Sequence, residues 1–166
     1  GCAITIFGDV AGKPLGRRGA KPGDKIYVSK ALGASAAGLE WLMANRHCEE
    51  HSDVAIQHLY PTPELELGQK LVNHATACMD ISDGLAKDLH RLCKASKVGA
   101  ELHHVPCYKD VSLEHALYGG EDYALLFTAP KSRFGIEIGE ITKGPALEHN
   151  GQPLENKGYD HFSVFS

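Results

Sequence analysis

The sequence predicts an α/β (α+β) layer structure, a mixed sheet packed against helices. Three observations carry this expectation. Short β-branched runs are interleaved along the chain with segments of helical period, the order of elements that builds layered sheet-and-helix domains. Asn150-Gly151 is a two-residue hairpin signal, so part of the sheet is antiparallel. The 166 residues, 43% hydrophobic and 23% charged, are enough for one domain with a sizeable core.

Ala3 to Phe7 reads as a strand that Gly8-Asp9 closes, and a chain that enters in mid-strand is expected to be the remainder of a longer protein. Val10 to Gly23 is a loop rich in glycine, proline and the cations Lys13, Arg17, Arg18 and Lys21. Solvated turn chemistry and a phosphate-holding loop are both open for it. Pro22-Gly23-Asp24 is a turn, and Lys25 to Ser29 a second strand. Ala34 to Met43 is a helix of small residues, with Ala36, Leu39, Leu42 and Met43 forming its packed face and Trp41 a packing residue. Asn45 to Asp53 is a polar excursion. Thr62 then caps a helix that has Pro63 in its first position and runs to about Ala75.

The chemistry concentrates in Cys78-Met79-Asp80-Ile81-Ser82-Asp83-Gly84-Leu85. Cys78 to Ile81 reads as the end of a buried strand. Leu85 opens a helix whose apolar stripe is Leu85, Leu89, Leu92 and Cys93, with Lys87, Asp88, His90 and Arg91 on the other face. Two carboxylates and a hydroxyl at a strand-to-helix turn suit Mg²⁺, which takes carboxylate oxygens together with substrate phosphates. Helix capping by Ser82 and a dipole-complementing Asp83 account for two of these residues without a ligand. They do not account for Asp80, an acid at an apolar strand end, where an unpaired buried charge is costly.

Beyond the central helix, Gly99 to His103 is a short strand and Val111 to Leu117 a short helix. Gly119-Gly120 allow close approach just before Glu121 and Asp122, which pair with the Asp80 turn as a site hypothesis. Leu125 to Thr128 and Ile136 to Ile141 are strands, and Gly158 to Phe162 leads into a last one.

Composition narrows the function classes. Twenty-one acids against seventeen Lys and Arg give a net charge of −4, without a nucleic-acid footprint. No apolar run reaches membrane-spanning length, and there is no signal-peptide pattern. The 5 cysteines are odd in number and lack C-x-x-C spacing, which points to a reduced, cytoplasmic protein and away from a disulfide framework or zinc site. His103-His104 point to opposite faces on a strand and so do not bind a metal jointly.

With Arg17-Arg18-Gly19-Ala20-Lys21-Pro22-Gly23-Asp24, Pro61-Thr62-Pro63, Asp80-Ile81-Ser82-Asp83-Gly84-Leu85, Gly119-Gly120-Glu121-Asp122-Tyr123 and Gly158-Tyr159-Asp160-His161-Phe162 in view, the chain resembles the C-terminal domain of the thiamine-monophosphate kinase family. That family shares a superfamily with aminoimidazole ribonucleotide synthetase and selenophosphate synthetase. The resemblance implies the C-terminal domain fold of the aminoimidazole ribonucleotide synthetase type and transfer of the ATP γ-phosphoryl group onto thiamine monophosphate, with Mg²⁺. It further implies Asp80 and Asp83 as Mg²⁺ ligands, Ser82 as an ATP contact and Arg17 on nucleotide phosphates. Glu121 and Tyr159 match substrate contacts, Glu121 facing the aminopyrimidine, and no covalent nucleophile is expected. The resemblance further implies an N-terminal domain, expected to lie outside this sequence, that carries most metal and ATP contacts and the dimer-forming sheet; a homodimeric full-length enzyme and an inactive isolated fragment are therefore expected. The chain departs from the family at Ser29-Lys30, Ala34 and Ala124. Another ATP-using synthetase of the superfamily and a non-catalytic nucleotide-binding domain are the alternatives; the ending at Gly158 to Phe162 favours the kinase.

Overall fold

A computed structural model describes Thr5, residues 13–45 and residues 52–159. The expected strand over residues 3–7 falls outside them apart from Thr5, as do residues 160–162 and most of the polar excursion after Asn45.

Among the described residues, one seven-stranded sheet forms, in the order β2-β4-β1-β5-β3-β6-β7. Its strands are β1 (Lys25–Val28), β2 (Ala77–Asp80), β3 (Gly99–Leu102), β4 (Leu125–Ala129), β5 (Ile136–Thr142), β6 (Leu147–His149) and β7 (Gln152–Pro153). All neighbours are antiparallel except β3 and β6, so the expected mixed sheet is observed. The β6–β7 hairpin turns through Asn150 and Gly151 at φ 51° and 75°, the left-handed pair that an Asn-Gly turn supplies. The helices are α1 (Ala34–Ala44), α2 (Asp53–Leu59), α3 (Leu65–Leu71), α4 (Leu85–Ser96) and α5 (Leu113–Tyr118). None is long and apolar enough to cross a membrane.

Alternation along the strands divides the core. Ile26 and Val28 of β1 join Leu85, Leu89 and Leu92 of α4 in the larger cluster. Tyr27 points the other way, stacks on Phe127 at 5.2 Å and packs with Leu71 of α3. Leu85, Leu89 and Leu92 are fully buried, each contributing about 2 kcal/mol of apolar burial. Cys78, Cys93 and Cys107 are free thiols, and burial pushes Cys78 up to about 11 and Cys93 to about 12, so neither supplies a thiolate near neutrality.

Several expectations are corrected. The packed face of α1 is Ala34, Ser35 and Gly38, whereas Leu39 and Met43 are 44% and 58% exposed. The reason is α2, a helix the sequence reading did not assign. It approaches α1 so closely that a Cβ on Gly38 would lie 2.1 Å from the Val54 carbonyl, so the small residues, not the large ones, face inward. Ser52 caps α2, its Oγ accepting from the Ala55 amide. The helix expected from Thr62 to Ala75 is shorter. It starts at Leu65 after Glu64, and the His74 and Ala75 amides both donate to the Leu71 carbonyl in the turn that ends it. Strand β2 lies at one end of the sheet rather than inside it, which leaves Asp80 exposed. Asp88, expected on the polar face of α4, is fully buried.

Candidate functional site

Three segments far apart in sequence are knitted together at the start of α4. The Glu121 amide donates to the Ser82 carbonyl at 2.8 Å, the Tyr123 amide to Ile81 at 2.9 Å, and the Tyr159 amide to Asp83 at 2.9 Å. Glycine makes this possible. Gly84 sits at φ 114°, and a Cβ there would lie 2.9 Å from the Tyr118 carbonyl, while one on Gly120 would lie 2.7 Å from that of Ser82.

In the second segment the backbone alternates around a buried acid. Asp122 turns inward and accepts from the Gly33 amide at 2.7 Å and the Ser35 amide at 3.3 Å, capping α1, whose own N-cap, Gly33, has no side chain to do so. The start of α1 is thus held from across the fold. Burial pushes the Asp122 carboxyl up, and the two amides and Lys30 partly offset this. Its neighbours Glu121 and Tyr123 adopt φ 63° and 48°, unusual for residues with a Cβ, and are thereby turned outward.

Glu121 and Tyr159 line the same cavity of about 500 Å³, together with Ser35, His58, Glu40 and His115. Ser35 Oγ and His58 Nδ1 are 2.8 Å apart, and His58 Nδ1 lies 3.6 Å from Glu121 Oε2. Elsewhere on the lining, His115 Nε2 is 3.0 Å from Glu40 Oε1. The cavity thus offers an aromatic edge and two acid–imidazole pairs, a surface suited to a flat heterocycle carrying hydrogen-bond donors.

The central turn behaves differently from both readings of the sequence. Ser82 is not the cap of α4; that position is Gly84, without a side-chain bond. Ser82 Oγ instead donates to Asp83 Oδ1 at 3.3 Å. The turn is held by Asp88, whose Oδ2 accepts from both the Ser82 and Asp83 amides at 2.9 Å and whose Oδ1 pairs with Arg91 at 2.6 Å. Asp83 Oδ2 meets Arg91 at 2.5 Å and Lys87 at 3.4 Å. Burial pushes the Asp83 carboxyl up, but these two cations outweigh it and hold the group below the usual carboxylate range. Asp80 is exposed, so the cost of burying its charge no longer argues for a ligand. What singles it out is that its carboxylate, at the end of the β2 ladder, makes no hydrogen bond or ion pair with any described residue.

Burial and then Glu121, Asp80 and Asp83 push the Tyr123 phenol up, so all three acids lie near it. Arg17 is not brought there. It is exposed and outside the cavity, its carbonyl accepting from Ser96 Oγ at the far end of α4. Among the described residues no three His, Cys, Asp or Glu side chains cluster as a metal site, so a cation here would take most of its ligands from elsewhere. Asp88 is the turn-holding residue that the sequence reading missed. Its signal was present, since it stands three residues after Leu85 and four before Leu92, inside the apolar stripe.

This sheet and its glycine-bound turn define a class. The chain belongs to the family described as AIR synthase related protein, C-terminal domain, which matches residues 21–151. Within it, the chain is similar to thiamine-monophosphate kinases. That of Aquifex aeolicus (strain VF5) is 35% identical over 98% of this chain and 59% of the relative, and that of Salmonella typhimurium is 38% identical over 93% and 57%. The solved structure of AaThiL complexed with AMPPCP and TMP superposes with a TM-score of 0.81 at 37% identity, covering 89% of this chain and 54% of that one. The expected resemblance and fold are borne out. The chain spans a little over half the length of the relatives it matches.

Proposed function

We propose that this chain is the C-terminal part of a thiamine-monophosphate kinase, an enzyme of thiamine biosynthesis that transfers the γ-phosphoryl group of ATP onto the phosphate of thiamine monophosphate, giving thiamine diphosphate. The observation that carries the reading is the single cavity shared by Glu121 and Tyr159, hydrogen-bonded through the backbone to the Ser82–Asp83 turn. The relatives' names and the AMPPCP and TMP of the similar structure support the choice of substrates.

In this reading the cavity takes the organic half of the substrate. Glu121, oriented by His58, accepts from the aminopyrimidine, and Tyr159 covers a ring face. The substrate phosphate then extends toward the turn, where Ser82 contacts ATP. Attack is in line by a phosphate oxygen, so no covalent nucleophile is required, and positioning with charge stabilisation supplies the rate. Mg²⁺, when bound, offsets the repulsion between two polyanions. Asp80 fits it as an exposed carboxylate without a partner among the described residues, and Asp83 offers Oδ1 while Oδ2 stays with Arg91 and Lys87. Arg17 on nucleotide phosphates is the least supported role, because its loop is tied outside the cavity. A preceding domain would supply the remaining metal and ATP contacts in a cytoplasmic homodimer.

The test is conversion of thiamine monophosphate to the diphosphate, with ATP and Mg²⁺, by the longer protein and by this chain alone. Turnover by the longer protein only is expected. Absence of turnover by the longer protein would overturn the reading, and turnover by the isolated chain would overturn the need for a preceding domain.

A further inference from the structure

Asp88 is fully buried in α4, and its carboxylate reaches back to the turn before the helix and across to Arg91. Its Oδ2 accepts from the amides of Ser82 and Asp83, both at 2.9 Å, and neither residue belongs to α4 itself. Its Oδ1 pairs with Arg91 Nη1 at 2.6 Å, and Arg91 Nη2 closes the circuit on Asp83 Oδ2 at 2.5 Å. Asp83 is therefore gripped at both its backbone and its side chain by one acid–arginine pair, and its Oδ1 keeps only the 3.3 Å contact with the Ser82 hydroxyl. A buried carboxylate with two amides and a guanidinium has no slack; charge-assisted bonds of this kind are short and directional.

We propose that Asp88 is a positioning residue for phosphoryl transfer, setting the Ser82–Asp83 backbone directly and, through Arg91, leaving a single oxygen of Asp83 open. Its effect on catalysis rests on the kinase reading; its effect on the turn does not. The residue touches no substrate in this arrangement. It acts only through Ser82 and Asp83.

The two substitutions that separate these effects are Asp88→Ala and Asp88→Asn. Alanine removes both links. Asparagine keeps one oxygen for the two amides but turns an N–H₂ group toward Arg91, where donor meets donor, and so releases the arginine alone. In this chain, amide hydrogen exchange at Ser82 and Asp83 is expected to rise about tenfold or more in Asp88→Ala, the factor equivalent to a bond of about 1.4 kcal/mol, and to stay near wild type in Asp88→Asn. Amides of the β1–β4 ladder report whether the fold is kept. In the longer protein, both variants are expected to raise the KM for ATP at fixed Mg²⁺ by about tenfold, with the KM for thiamine monophosphate changed by less than about twofold. Unchanged exchange at Ser82 and Asp83 in Asp88→Ala overturns the proposal, as do equal rises in both KM values. Should Asp88→Ala fail to fold, Asp88→Asn with wild-type ATP dependence overturns it. A wild-type longer protein without kinase activity would sink the kinase reading alone, and the exchange measurement would still decide whether Asp88 holds the turn.

Discussion

The turn at Asp80–Asp83 and the loop at Glu121–Tyr123 solve one problem in two ways. Each precedes or faces a helix start that has no side-chain cap of its own, at Gly84 and at Gly33. In each, a buried aspartate takes two backbone amides, Asp88 for the turn and Asp122 for α1. The difference lies in what is left over. Beside Asp122, Glu121 meets only His58 at 3.6 Å and remains more than half exposed, whereas beside Asp88, Asp83 is pinned by Arg91 and Lys87. A loosely held acid can adapt to the donors of an organic ring. A pinned one presents a fixed negative charge, which suits holding a cation that would in turn meet phosphate. The lesson is that the acids holding the backbone and the acids proposed to face ligands are different residues, even when adjacent in sequence.

The comparison breaks most visibly at Asp122. Asp122→Ala leaves the Gly33 and Ser35 amides buried without an acceptor and is expected to cost about 3 kcal/mol of stability, read from denaturant unfolding of this chain. Asp80→Asn tests the opposite extreme. An exposed carboxylate with no hydrogen bond or ion pair to any described residue contributes little to folding, so unfolding should shift by less than about 0.5 kcal/mol. Turnover of the longer protein should nevertheless fall at least tenfold, about 1.4 kcal/mol of barrier. If both stability and turnover are unchanged, Asp80 has no role.

Asp83→Asn sharpens the comparison through pH. The folded carboxyl of Asp83 lies below the ordinary 3.8, so its contribution to stability is present above that value and is lost as pH falls through the folded pKa. Asp122 has the reverse sign, since its folded carboxyl lies above 3.8: its contribution is complete below 3.8 and disappears as pH rises through the folded value. Acid unfolding curves should therefore lose part of their steepness below about pH 4 in Asp83→Asn, with a neutral-pH cost of about 1 kcal/mol or less once solvent screening at Arg91 is allowed for. The same variant in the longer protein should need more Mg²⁺ for half-maximal rate. The smallest effect is Ser82→Ala. Because Ser82 caps no helix, its loss should change stability by only a few tenths of a kcal/mol while weakening ATP use, and a drop of about 1 kcal/mol would restore the capping role.

Much of this was legible in the chain. Local rules suffice for the Asn150-Gly151 hairpin, for the strands centred on Ile26, Cys78 and Leu126, and for α4, because residue periodicity and turn chemistry act within a few positions. The pairing of the Asp80 turn with Glu121 was also expected from paired glycines beside acids, and the structure joins them by backbone bonds.

What the sequence determined by itself was the order of strands and helices other than α2, and the glycine-spaced acids between them, since these depend on φ preference and on which neighbours share a face. Which acid is buried was decided only in three dimensions. Asp80 is exposed because β2 ends the sheet, and Asp88 is enclosed because the stripe of α4 lies flat on that sheet. The cavity, too, exists only once α2, the Glu121 loop and Tyr159 meet, and no local pattern records that closure because its walls come from segments that touch only after the strands have paired.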